Sequence, residues 1–187
     1  TARCFYVAVN GSDGNTGAQS RATRNLENQL RQLVAAQYAS KFEIKPFNAE
    51  NVAKNPLVFI GTFTPIHATA QATGAKDAYR VCFAIIDLKS KQIVSKGFAR
   101  ATPQGVEAVP TPAFADAPIW MKDPAVDGYV KTCQGTKAGD PINPAYVDKV
   151  GVASVVAEAI KAYDERRYAA AFELYTKARA MPGGDQL

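Results

Sequence analysis

Pro56-Leu-Val-Phe-Ile-Gly-Thr-Phe-Thr64 and Tyr79-Arg-Val-Cys-Phe-Ala-Ile-Ile-Asp-Leu-Lys-Ser-Lys-Gln-Ile-Val94 decide the fold class. The first is a short, nearly continuous run of apolar residues, the pattern of a central strand covered on both faces. In the second, Tyr79, Val81, Phe83 and Ile85 point to one face and Cys82, Ala84, Ile86 and Leu88 to the other. Asp87 to Gln92 then turns the chain into Ile93 to Ala101. Alternation on both sides of a polar turn predicts a β-hairpin.

Working outward, Cys4 to Val9 is β-branched and aromatic and stops at Asn10-Gly-Ser-Asp-Gly-Asn-Thr-Gly17, which predicts a strand and a loop. Ala22, Leu26, Leu30, Leu33, Val34 and Tyr38 recur in steps of three and four, one stripe of a helix that should lie on the sheet. A short strand is expected around Phe42 to Pro46. The expected fold is therefore α/β (α+β): a mixed sheet with packed amphipathic helices, Phe59 and Phe83 buried and Leu26, Leu30 and Leu33 packed on it.

Seven of the eleven prolines fall between Pro103 and Pro144 without sustained periodicity, so that stretch is expected to be irregular, anchored by Ile119 to Met121 and Tyr129-Val130. Beyond it, Val152, Val155, Val156, Ala159, Ile160 and Tyr163 form one stripe, and Tyr168, Ala171, Phe172, Tyr175 and Ala178 the next, around a turn at Asp164 to Arg167. A helical hairpin is expected. The domain division is 1–102 for the sheet, 103–147 for the Pro-rich connection and 148–187 for a truncated helical hairpin.

At 187 residues with 47% hydrophobic content, the chain can bury an ordinary core without a metal or a dense disulfide framework. No run is long and apolar enough to span a bilayer, and no signal peptide opens the chain; with Thr1 rather than methionine first, the chain is expected to be part of a longer, processed protein. The net charge of +5 permits polyanion binding. However, Arg21, Arg24 and Arg31 on one helix, and Lys89, Lys91, Lys96 and Arg100 on the hairpin, are not interleaved with an aromatic stripe, so solvated faces are expected rather than a nucleic-acid site.

Catalytic chemistry finds little to work with. His67 is the single histidine, which excludes a multi-histidine zinc site, and no serine or cysteine motif accompanies it. Gly11, Gly14 and Gly17 lack the spacing of a phosphate or dinucleotide loop, and Asp13 with Asn15 lacks the other ligands of a calcium loop. Asp77, Asp87, Glu107, Asp116, Asp123 and Asp127 offer carboxylates but no recognisable glycosidase pair. No catalytic, metal or cofactor site is expected. Cys4, Cys82 and Cys133 are too dispersed for a Cys-x-x-Cys motif.

Tyr168-x-x-Ala171-x-x-x-Tyr175-x-x-Ala178, followed by Pro182, resembles the second helix of a tetratricopeptide repeat, with the proline displaced by one position and Ala162 where a large aromatic is usual. The front hundred residues resemble the small α/β domain of the TolB amino-terminal domain, the curli-secretion lipoprotein and the lipoprotein activators of penicillin-binding proteins. The opening strand and Asn-Gly-x-Asp-Gly loop, Val58 to Thr64, and Tyr79 to Val94 carry that likeness. Together they resemble the periplasmic part of an outer-membrane protein with an OmpA-like peptidoglycan-binding domain downstream.

That resemblance implies a non-enzymatic periplasmic scaffold or regulator, anchored at the outer membrane in the full-length protein. Its partner would be an envelope protein or peptidoglycan, and a homodimer is a further option. A peptidoglycan-acting enzyme and a basic nucleic-acid-binding module are the alternatives. In an oxidising periplasm Cys133 could pair with Cys82, with Cys4 as the rival. Tyr163, Tyr168, Phe172 and Tyr175 are the expected partner-binding residues, because two helices cannot cover them all. Ile119 and Trp120, a second copy, following helices or a partner would supply the cover.

Overall fold

The structure, a computed structural model, describes residues 3–12 through their backbone and residues 21–67, 76–107, 109–116 and 124–184. Five strands form one mixed sheet in the order β2-β1-β3-β4-β5: β1 (Arg3–Ser12), β2 (Phe42–Pro46), β3 (Leu57–Ile66), β4 (Ala78–Asp87) and β5 (Gln92–Ala101). β1 runs parallel to β2 and β3, whereas β3, β4 and β5 are antiparallel. Parallel neighbours need a crossover. α1 (Arg21–Tyr38) supplies it between β1 and β2, and α2 (Ala49–Val52) leads from β2 to β3. The mixed sheet and packed helices expected from the sequence are present.

One face of the sheet carries the core. Val58 and Ile60 of β3, Cys82, Ala84 and Ile86 of β4, and Ile93 of β5 are almost fully buried, joined by Val52, Leu88, Tyr129, Cys133, Ile142, Tyr146 and Val150. The layer above them comes from the stretch expected to be irregular. It contains α3 (Pro112–Ala115), α4 (Pro124–Gln134) and α5 (Pro144–Val147), and α4 packs on β3 and β4. Pro112, Pro124 and Pro144 stand in first turns, where a missing N–H costs nothing and a fixed φ favours the helix.

α4 is fastened at both ends. The Tyr129 hydroxyl donates to the Gly61 carbonyl and accepts from the Gly61 N–H at 3.0 Å, beside the point where the register of β1 against β3 shifts. Cys133 is joined to Cys82 by a disulfide. Thr132 donates to the Gly128 carbonyl at 2.7 Å and accepts from the Asn143 N–H at 3.1 Å, which locks α4 to the start of α5. A Cβ on Gly128 would lie 2.8 Å from Asn143 Oδ1 and 3.0 Å from the Tyr146 backbone nitrogen. Gly128→Ala is therefore expected to destabilise by about 2 kcal/mol in urea unfolding, although alanine is the better helix former by about 1 kcal/mol.

The opposite face is less covered than the sequence implied. Phe59 and Phe83, expected to be buried, are half-buried and rest on one another with ring centroids 5.1 Å apart. α1 packs against β1 and β2, at the other side of the sheet. Leu26 and Leu30 are half-buried, and Leu33 is 48% exposed, so the expected three-leucine stripe is only partly packed. Across the segment boundaries the parts interlock. Arg21 and Ala22 of α1 donate backbone N–H groups to Val109 and Glu107, which cap that helix, and α6 (Val150–Asp164) packs on α2 and α3.

Candidate partner-binding face

α6 and α7 (Tyr168–Ala180) form the expected helical hairpin. Small residues set their approach: Ala159, Ala162, Ala171 and Ala178 are buried, with Val152 and Val155 of α6 beneath Leu174 and Met181. α2 adds Ala49 to the same cluster, and the Ala49 N–H donates to Glu158 at 2.8 Å. The third layer that a lone pair of helices lacks is thus supplied in part by α2 and α3.

At the turn, Asp164 is the organising side chain. It is 2% exposed, accepts the Ala113 N–H at 2.8 Å and pairs with Arg24 of α1, so one carboxylate joins three helices. Next to it the Tyr163 hydroxyl donates to Asp116 at 2.9 Å, and this bond, ahead of burial, pushes its pKa up. Arg166 takes a left-handed backbone conformation, with φ near 60°, as the turn closes. Arg167 then pairs with Glu165, whose carboxyl is held low first by that hydrogen bond.

The four residues expected to meet a partner separate into two kinds. Tyr168 is 55% exposed and Phe172 73% exposed, one turn apart on the outer side of α7. Tyr163 and Tyr175 are half-buried. The Tyr163 ring meets Tyr168 edge-on at 5.1 Å, and burial, followed by the negative charge of Asp164, pushes the Tyr175 hydroxyl up. The arrangement is an aromatic ledge, Tyr168 and Phe172, with Tyr163 and Tyr175 as its footing. Ile119 and Trp120, expected to cover it, lie outside the described residues, as do Asp13, Gly14, Asn15, Gly17 and Asp123. Gly11 lies within β1.

The remaining sequence candidates have structural partners. Asp87 accepts from the Lys89 N–H and the Ser90 hydroxyl in the β4–β5 turn, Glu107 pairs with Arg21, and Asp127 pairs with Lys131. His67 is half-buried just after β3. Among the described residues no three His, Cys, Asp or Glu side chains gather where they could hold a metal ion, and no helix is long and apolar enough to cross a membrane. Of the two tyrosines in the sheet core, Tyr129 is the anchor expected from the sequence, whereas nothing in the sequence singled out Tyr146. Tyr129 and Tyr146 meet edge-on at 5.2 Å, and burial raises both hydroxyls.

Comparison of the chain with protein-family models, with curated proteins and with solved structures finds no match.

Proposed function

We propose that this chain is a non-enzymatic scaffold or regulator of the bacterial cell envelope that binds a protein partner through the outer side of α7. The observation that carries this is the exposure of Tyr168 and Phe172 on a hairpin that Asp164 fixes rigidly to α1 and α3. Large aromatic side chains with few rotatable bonds supply binding energy at low entropic cost, and interfaces are enriched in them. The likeness to the TolB amino-terminal domain and to the lipoprotein activators supports a periplasmic location, and the Cys82–Cys133 disulfide suits an oxidising compartment.

A photo-reactive phenylalanine analogue at position 172, in the chain expressed in its native host, tests the reading. The expected result is a discrete protein adduct that is absent when the analogue replaces exposed Lys41. Phe172→Asp is expected to change stability by less than about 0.5 kcal/mol, being a surface substitution, while weakening partner binding at least tenfold. Equal adducts at both positions, or release of soluble fragments from purified peptidoglycan, would count against it.

A further inference from the structure

Tyr168, Phe172, Tyr175 and Arg179 follow one another in α7 at spacings of four, three and four, so they form one stripe along the helix. Thr176 lies beside them, and its hydroxyl donates to the Phe172 carbonyl at 2.8 Å, which leaves it no call on a partner. The rest of the helix is committed. Ala171 and Ala178 are buried, and Leu174 packs with Val152 and Val155 of α6.

The charges around this stripe are unevenly answered. The nearby carboxylates are taken: Asp164 pairs with Arg24, Asp116 accepts from the Tyr163 hydroxyl, and Glu165 pairs with Arg167. The cations at the two ends of the stripe are not. Arg166, in the turn that opens α7, and Arg179, in its last turn, are exposed, and their side chains form no hydrogen bond or ion pair among the described residues. Glu173 and Lys177 stand one turn apart on the adjoining flank, where their charges offset one another.

Resting on the proposal that α7 receives a protein partner, we infer that the occupant is an amphipathic helix lying antiparallel to α7, apolar in its middle and with carboxylates in its first and last turns. The peptide groups of α7 are bonded within the helix, so an extended segment would find no main-chain partners there, whereas a helix arrives with its own backbone satisfied. Tyr168 to Arg179 spans about 16 Å at about 1.5 Å per residue, three turns of such a helix. Antiparallel packing sets the partner's first turn against Arg179, where a carboxylate meets both the guanidinium and the positive end of its own helix dipole. A second copy of this chain does not fit, because α7 packed antiparallel on α7 would put Arg166 against Arg179, like charge on like. A lipid surface would find little to admit: the other apolar residues of α7 face α6, and Glu173 follows Phe172.

The test uses the full chain and a fluorescent helical peptide of three turns, held by a lactam bridge, with leucines along one face and glutamates in its first and last turns. Fluorescence anisotropy is expected to show binding that Phe172→Asp abolishes. An unbridged peptide with a central proline should not bind, because its charges remain while its helix is broken. Arg166→Glu with Arg179→Glu should weaken binding at least about tenfold, and replacing the peptide's glutamates by lysines should restore it. Circular dichroism establishes that this variant is folded; an unfolded one is replaced by Arg166→Gln with Arg179→Gln, for which a smaller loss in the same direction is expected. The inference is overturned by no binding at all, by undiminished binding of the proline peptide or by indifference to the charge reversal. Tighter binding to phosphatidylglycerol vesicles, or a dimer of the chain that Phe172→Asp dissociates, overturns it as well. A discrete protein adduct at position 172 alongside failure with the peptide would leave the α7 side as a protein-binding surface for an occupant of other chemistry, whereas failure of both removes that reading too.

Discussion

Tyr129→Ala is expected to lower the unfolding free energy by about 5 kcal/mol, with Tyr129→Phe costing about 1 to 2. Tyr129 is 4% exposed, its ring packs edge-on against Tyr146, and its hydroxyl serves both the N–H and the carbonyl of Gly61. Truncating a buried aromatic to alanine typically costs about 3 to 5 kcal/mol, and leaving buried backbone groups without their partner adds about 1 to 3. Together these approach the whole stability of an ordinary domain, about 5 to 15 kcal/mol. Urea unfolding followed by circular dichroism measures both variants. A phenylalanine variant as damaged as the alanine one would show that the ring contributes nothing and that the Gly61 bonds alone hold α4 to β3.

Tyr129 also shows where the sequence was legible and where it was not. The strands and α6–α7 could be read because one physical constraint dominates each: alternation for a strand with unlike faces, three-and-four spacing for a helix on a surface. α4 obeys the same rule, since Val126, Tyr129, Val130 and Cys133 repeat at helical spacing. It was obscured by the prolines around it and by Gly128, which lowers helix propensity yet is required for the close approach to Asn143 and Tyr146. Proline was read as a breaker where it acts as a starter.

The α1 stripe is only partly packed for a different reason. Periodicity says which side of a helix turns inward but not how far the sheet beneath it extends. α1 lies over β1 and β2 and leaves Leu33 and Tyr38 substantially exposed at its end. Leu30 is only half-buried, so Leu30→Asp should cost less than a charge placed at fully buried Ile60. At the candidate partner-binding face, the sequence located four aromatic residues on one hairpin but could not sort them. Sorting depended on Asp164 and Asp116, whose partners Arg24, Ala113 and Tyr163 are brought together only by tertiary packing.

Removing the Cys82–Cys133 disulfide by the double substitution to alanine is expected to cost about 4 kcal/mol. The bridge spans 51 residues of sequence, and the loop-closure entropy it removes from the unfolded chain gives that figure. Both cysteines are fully buried at the junction of α4 and β4, so two alanines leave small voids that add to the loss. The melting temperature should fall by roughly 8 to 16 °C at this chain length. The two large effects are not independent. Tyr129 and Cys133 lie one turn apart on α4 and hold the same helix to neighbouring strands, so the combined variant should lose less than the sum, because a helix released by one change has less left to lose by the other. Additive losses would mean that α4 stays docked through Thr132, Asn143 and Tyr146 after either tie is cut. Three titratable thiols in the unreduced, denatured protein would mean that no bridge forms, and would withdraw the disulfide's support from the periplasmic proposal.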